Sequence, residues 1–154
     1  MIYLECNADM VLARVLTGLP KKQMAHERKG KYEIALRLRG LKKATALVDE
    51  DPGALEPPYF RELHNRRSLP RTDLLLLRDP SRDNRVVIMR PRLEEWVVRG
   101  AEEVSADLGR YGLPGDPARL HRVVNDDVAK FGRLVGDLAH TARFQALRTL
   151  LLER

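Results

Sequence analysis

The sequence predicts an α/β domain: a mainly parallel sheet flanked by helices, with an added hairpin and a helical C-terminal third. Three observations carry that prediction. Short apolar runs at 2–5 and 44–48 alternate with stretches of helical spacing, the pattern of strand, crossover helix and parallel strand. Two further strand-like runs, Asp73 to Arg78 and Arg85 to Met89, flank the turn-rich segment 79–84, which favours an antiparallel hairpin. From Pro91 onward, apolar residues recur mostly at helical intervals.

The elements follow in order. Residues 2–5 read as a buried strand. Asn7 or Asp9 can cap the next segment, where Met10, Val11, Ala13, Val15 and Leu16 fit a helix ending near Gly18, with Pro20 as the stop. A short strand is possible around Gln23-Met24-Ala25. The second helix starts near Gly30 or Lys31 and carries Ile34, Ala35, Leu38 and Leu41 on one face. The 44–48 strand follows. Residues 52–72 are rich in proline and arginine and read as a long irregular connection, a kind of segment that tends to be functional. After the hairpin, Pro91 opens a helix through Trp96 to Val104, Gly109 to Pro117 interrupts, and two helices are expected over 117–125 and 127–152.

A chain of 154 residues suits one domain, 1–154, with the motifs in 1–51 and mostly helix over 91–154. At 44% hydrophobic and 32% charged it reads as globular. The longest apolar runs, such as Leu74 to Leu77, are too short to span a bilayer, and the N-terminus shows no secretory pattern. Cys6 is the only cysteine, which excludes an intrachain disulfide and a thiolate zinc site and fits a cytoplasmic location. The net charge of +6 points to an anionic partner, nucleic acid first. With aromatics at only 5%, phosphates are the expected contact rather than stacked bases.

The chemistry concentrates where strands end on acids. Val48-Asp49-Glu50-Asp51-Pro52-Gly53 closes one strand, and the period of two aims Asp49 and Asp51 to one side. Glu5 ends the other. Three carboxylates at the carboxyl ends of neighbouring parallel strands make a hard-oxygen site for Mg²⁺ or Mn²⁺. The plain alternative is turn chemistry, for which Asp-Pro-Gly is well suited. Lys29-Gly30-Lys31, with His26 before it, offers a phosphate cradle at a helix start or simply a basic solvated helix end. Arg66, Arg67 and Arg71 could grip a phosphodiester backbone or lie in solvent. Asp79 and Asp83 could serve a second metal, but a polar turn explains them better. Trp96 reads as core, and Cys6 as a small buried residue.

Strand-Glu, helix, then strand ending Asp-x-Asp resembles the Toprim domain of topoisomerases, primases and OLD-type nucleases. The matching segments are Ile2-Tyr3-Leu4-Glu5 through Asp9, and Ala44 to Asp51. The resemblance implies Glu5 as general acid or base, and Asp49 with Asp51 as Mg²⁺ ligands. Asp9 and Glu94, the latter in Pro91-Arg92-Leu93-Glu94-Glu95-Trp96, are possible additional acids by the same likeness. Many Toprim domains carry glycine directly after the glutamate; here it is Cys6.

Two functions are expected from different classes. One is a Toprim-like, divalent-metal-dependent phosphodiester enzyme, a nuclease acting on DNA or RNA. The alternative is a non-catalytic Toprim-fold subunit of a defence or repair complex, working with a separately encoded ATPase. No tyrosine stands out as a strand-passing nucleophile, and no zinc-binding segment supports a primase.

Overall fold

Six strands form one sheet in the computed structural model, which describes residues 1–153. They are β1 (Ile2–Leu4), β2 (Met24–His26), β3 (Thr45–Asp49), β4 (Asn65–Leu69), β5 (Leu74–Asp79) and β6 (Asn84–Met89). The described helices are α1 (Asn7–Thr17), α2 (Lys31–Gly40), α3 (Pro58–Glu62), α4 (Leu93–Glu103), α5 (Pro117–Val123), α6 (Val128–Leu138) and α7 (Ala142–Leu152). The order across the sheet is β2-β1-β3-β6-β5-β4. The first four are parallel, whereas β5 runs antiparallel to β6 and to β4. The sheet is therefore mixed, with the expected parallel half and hairpin.

Alternation along the strands divides the core in two. Leu4, Leu47, Leu76, Val87 and Met89 face the layer of α1 and α4 to α7; Ala46, Val48, Leu77, Val86 and Ile88 face α2 and α3. In the larger layer Trp96 is fully buried, donates from Nε1 to the Thr72 carbonyl at 2.7 Å and lies 4.9 Å from the Phe144 ring. A Cβ at Gly100 would stand 2.7 Å from Phe144, so the approach of α4 to α7 requires glycine there.

Three expectations are corrected. Residues 52–72 are not an irregular connection; they hold α3 and β4. Asn65 to Ser68 are exposed, so β4 carries no apolar alternation and is defined by its ladder to β5. The single helix over 127–152 is two. Thr141 turns extended, its amide and hydroxyl both donating to the Leu138 carbonyl at 3.0 and 2.8 Å, which separates α6 from α7. The cap of α1 is Cys6, not Asn7 or Asp9.

This topology gathers the important termini. Leu4 pairs with Leu47 and Asp49 with Met89, so β1, β3 and β6 end at one sheet edge. The helices α1, α2 and α4 begin just after β1, β2 and β6 end, and their positive N-termini meet there too. Among the described residues no helix is long and apolar enough to cross a membrane.

Candidate metal centre

Glu5 follows β1 and meets β3 directly: its Oε1 accepts the Asp49 amide at 2.9 Å. The start of α2 closes on the same carboxylate, with the Lys31 amide among its donors. A Cβ at Gly30 would lie 3.8 Å from Glu5 Oε2, and its φ of 78° suits glycine. Burial raises the pKa of Glu5; the Asp49 amide opposes this, Asp51 adds to it, and Lys31 opposes it.

Asp9 sits in the first turn of α1, almost fully buried. Its Oδ2 accepts the amides of Glu5 and Cys6 at 3.2 and 3.1 Å, while its own amide donates to Cys6 Sγ at 3.4 Å. Its Oδ1 is buried with no hydrogen-bond partner among the described residues. Burial, then the charge of Glu5, pushes Asp9 up to about 7. Asp49, partly buried at the end of β3, accepts the Leu93 amide of α4 at 2.9 Å through Oδ1. Burial, then Asp9, Glu5, Glu94 and Asp51, pushes it up to about 9. Glu94 is buried and its Oε1 lies 2.9 Å from His121 Nδ1.

Asp51 differs from the strand-alternation expectation. β3 ends at Asp49, and Asp51 takes φ 51°, so a turn rather than the strand period sets its direction. It pairs with Arg92 Nε at 3.2 Å and Lys31 Nζ at 3.6 Å. Glu5, Asp9, Asp49, Glu94 and Asp51 thus converge on one edge.

The proposed phosphate cradle is rearranged. Lys31 is buried, and its Nζ donates to the carbonyls of Asp49 and Glu50, each at 2.9 Å; Lys29 is exposed. His26 Nε2 lies 3.0 Å from the Glu5 carbonyl. Arg66 pairs with Glu56 at 2.7 Å and donates to the carbonyls of Phe60 and Leu63, while Arg67 is exposed on β4. Asp79 and Asp83 stand at the opposite sheet edge, where Asp79 pairs with Asn84, so they do not join the acids. Burial pushes the Cys6 thiol well up, which disfavours a thiolate nucleophile.

A cleft of about 250 Å³ opens beside Asp49 and Asp51. Lys31, Arg66 and Arg90 stand on its walls with Glu50 and Glu56, over Phe60, Leu75 and Ile88. A larger cavity of about 380 Å³, near Lys43, Thr45 and Arg85, lies at the other edge, away from these acids. Among the described residues no three His, Cys, Asp or Glu side chains form a ready-made ligand group. The fit to a dication therefore rests on the donors: hard carboxylates, raised pKa values, and the unpartnered Asp9 Oδ1.

Sequence reasoning missed the contacts of Arg90 and Arg92 and the pairing of His121 with Glu94. A signal existed only for Glu94, through its segment's likeness; the other contacts depend on elements far apart in the chain. Compared with known proteins, the chain matches no family model, no curated protein and no solved structure.

Proposed function

We propose that this protein is a Toprim-like, Mg²⁺- or Mn²⁺-dependent enzyme of phosphodiester bonds, a nuclease acting on DNA or RNA in the cytoplasm. One observation carries the reading: Glu5 just after β1, Asp49 at the end of β3 and Asp9 in the first turn of α1 meet at one edge, all with raised pKa, and one buried oxygen among them lacks a partner. Such crowding is costly unless a cation or protons offset it. The likeness of Glu5 and Asp49-x-Asp51 to the Toprim pattern supports the same assignment.

Asp49 and Glu5 would hold the metal, with Asp51 at the rim and Asp9 and Glu94 behind. Bound there, a dication supplies Lewis-acid polarisation of a phosphoryl oxygen and a water of lowered pKa. Glu5, whose pKa already lies above the ordinary carboxylate value, moves the proton. Lys31 fixes the carbonyls of Asp49 and Glu50, and so orients the end of β3. The net charge of +6 favours a nucleic-acid substrate held through its phosphates.

The second reading, a non-catalytic subunit beside a separate ATPase, is favoured by the structural partners these acids have. Asp49 receives the first amide of α4, Asp9 belongs to the cap of α1, and Glu94 is held by His121. A cleavage assay over DNA and RNA, with Mg²⁺ or Mn²⁺ and with or without a co-encoded ATPase, separates the two. The enzyme reading expects metal-dependent cleavage that drops by roughly 10²–10⁴ in Glu5→Gln. Binding without turnover, unaffected by Glu5→Gln, supports the subunit instead.

A further inference from the structure

We propose that the cleft beside Asp49 and Asp51 seats one unpaired nucleotide unit, and does so only with a divalent cation in place. This inference rests on the metal reading above.

Three features of the cleft point to this ligand. The first is size. At about 250 Å³ it falls just below the roughly 300–1,000 Å³ of pockets that bury a drug-sized molecule. A space of this size has no room for a stacked base pair.

The second is the division of its walls. Arg66 and Arg90 face a cleft whose base is Phe60, Leu75 and Ile88, residues of the smaller core. Arginine suits phosphate oxygens by its planar fork of donors. The apolar base suits the C–H face of a sugar, and the polar walls suit the donors and acceptors of a base edge. Both arginines are pinned: Arg66 by Glu56 and two carbonyls, Arg90 by Glu50 at 2.9 Å and Ser68 at 3.3 Å. Their positions are set before any ligand arrives, which lowers the ordering cost of binding.

The third is charge. The lining holds four carboxylates, Asp49, Glu50, Asp51 and Glu56, against the three cations Lys31, Arg66 and Arg90. With all groups ionised the cleft is not a phosphate site. A dication held by Asp49 and Glu5, with Asp51 at its rim, turns that balance positive. Cation and nucleotide are then linked: each raises the affinity of the other by the same factor.

The free mononucleotide and the unpaired end of a strand share this chemistry, and separate arms of one experiment distinguish them. Isothermal titration calorimetry is run with Ca²⁺ or Mn²⁺ alone, then with dAMP in the presence and absence of cation. Inorganic phosphate, a single-stranded oligonucleotide and a blunt duplex are compared as ligands. The expected result is dAMP binding that needs cation and exceeds that of phosphate. Arg66→Gln and Arg90→Gln should each weaken it about tenfold while cation binding is kept. Arg66→Lys should restore part of the affinity, and the exposed Arg67→Gln should leave it unchanged. Binding by dAMP assigns the cleft to free nucleotides; binding by the oligonucleotide alone assigns it to strand ends, and both support the proposal.

Cation binding without either nucleotide ligand overturns the inference and leaves the metal reading intact. So does equal binding of dAMP without cation, equal binding of phosphate, or equal binding of the duplex. Failure of cation binding itself overturns the metal reading, and this inference with it.

Discussion

Asp49 and Asp79 each end a strand, at opposite edges of the same sheet, and their surroundings drive them in opposite directions. Asp79 is the less solvent-exposed of the two, yet its pKa falls to about 2. Burial raises it, but Ser81, the Tyr59 hydroxyl and Arg82 together outweigh that cost. Its Oδ1 accepts from Ser81 N, Ser81 Oγ and Arg82 N, and its Oδ2 from Tyr59 at 2.7 Å and Arg82 Nη1 at 3.2 Å. Asp49 accepts one amide and is pushed up to about 9, first by burial and then by Asp9, Glu5, Glu94 and Asp51. Burial raises both acids; at Asp79 a full set of donors outweighs it, whereas at Asp49 neighbouring carboxylates add to it. Asp79 belongs to the fold. Asp49 is an acid whose environment is incomplete without a cation or a proton.

That contrast can be broken in several ways, the largest effect first. Mn²⁺ at a hundredfold excess over its Kd should stabilise the folded protein by about 2.7 kcal/mol, read as a rise in Tm. No rise at any concentration would remove the distinction between the two aspartates. Asp79→Asn should cost about 1–3 kcal/mol in urea unfolding, because an amide cannot accept the same set of hydrogen bonds as the carboxylate. Asp49→Asn replaces a carboxyl that the metal-free fold keeps protonated, removes the cost of holding that proton, and should leave the metal-free stability unchanged or raised. If Asp49→Asn proves as costly as Asp79→Asn, Asp49 is a structural cap of α4 and nothing more.

A smaller effect concerns pH. Between the unfolded carboxylate value of about 4 and the folded value of about 9, folded Asp49 keeps a proton that the unfolded chain has lost. Metal-free stability should therefore fall as pH rises through that window. Asp9, raised to about 7, adds to the same trend. Asp79 acts oppositely: its contribution is complete above the unfolded value and is lost as pH falls toward about 2. Asp49→Asn should flatten the alkaline slope and leave the acid limb alone, as urea midpoints across pH would show.

The contrast also marks what is legible in the sequence. Apolar strands before Glu5 and Asp49 are readable because short buried runs bounded by turn residues have few other solutions. The turn at Asp79-Pro80-Ser81 is readable from local chemistry. β4 is not, since Asn65-Arg66-Arg67-Ser68 is exposed and owes its strand state to a partner. The break between α6 and α7 falls at Thr141, a residue type favoured at helix starts, but apolar residues at helical spacing on both sides mask it. At the site, Asp51 escapes a strand-period argument because the strand stops two residues earlier. Lys31 reads in the sequence as part of a phosphate cradle or as a basic solvated helix end, and only the folded chain brings it onto the carbonyls of Asp49 and Glu50. Long-range partners decide such roles, and composition does not carry them.

Mn²⁺ titration of the parent, Asp49→Asn and Asp79→Asn by electron paramagnetic resonance tests the central claim most directly. Free Mn²⁺ is read at each step, at a temperature where circular dichroism shows all three proteins folded. The expected result is one saturable site in the parent and in Asp79→Asn, weakened at least tenfold in Asp49→Asn. Equal Mn²⁺ binding by all three proteins, or binding by none, would contradict a metal centre at Asp49.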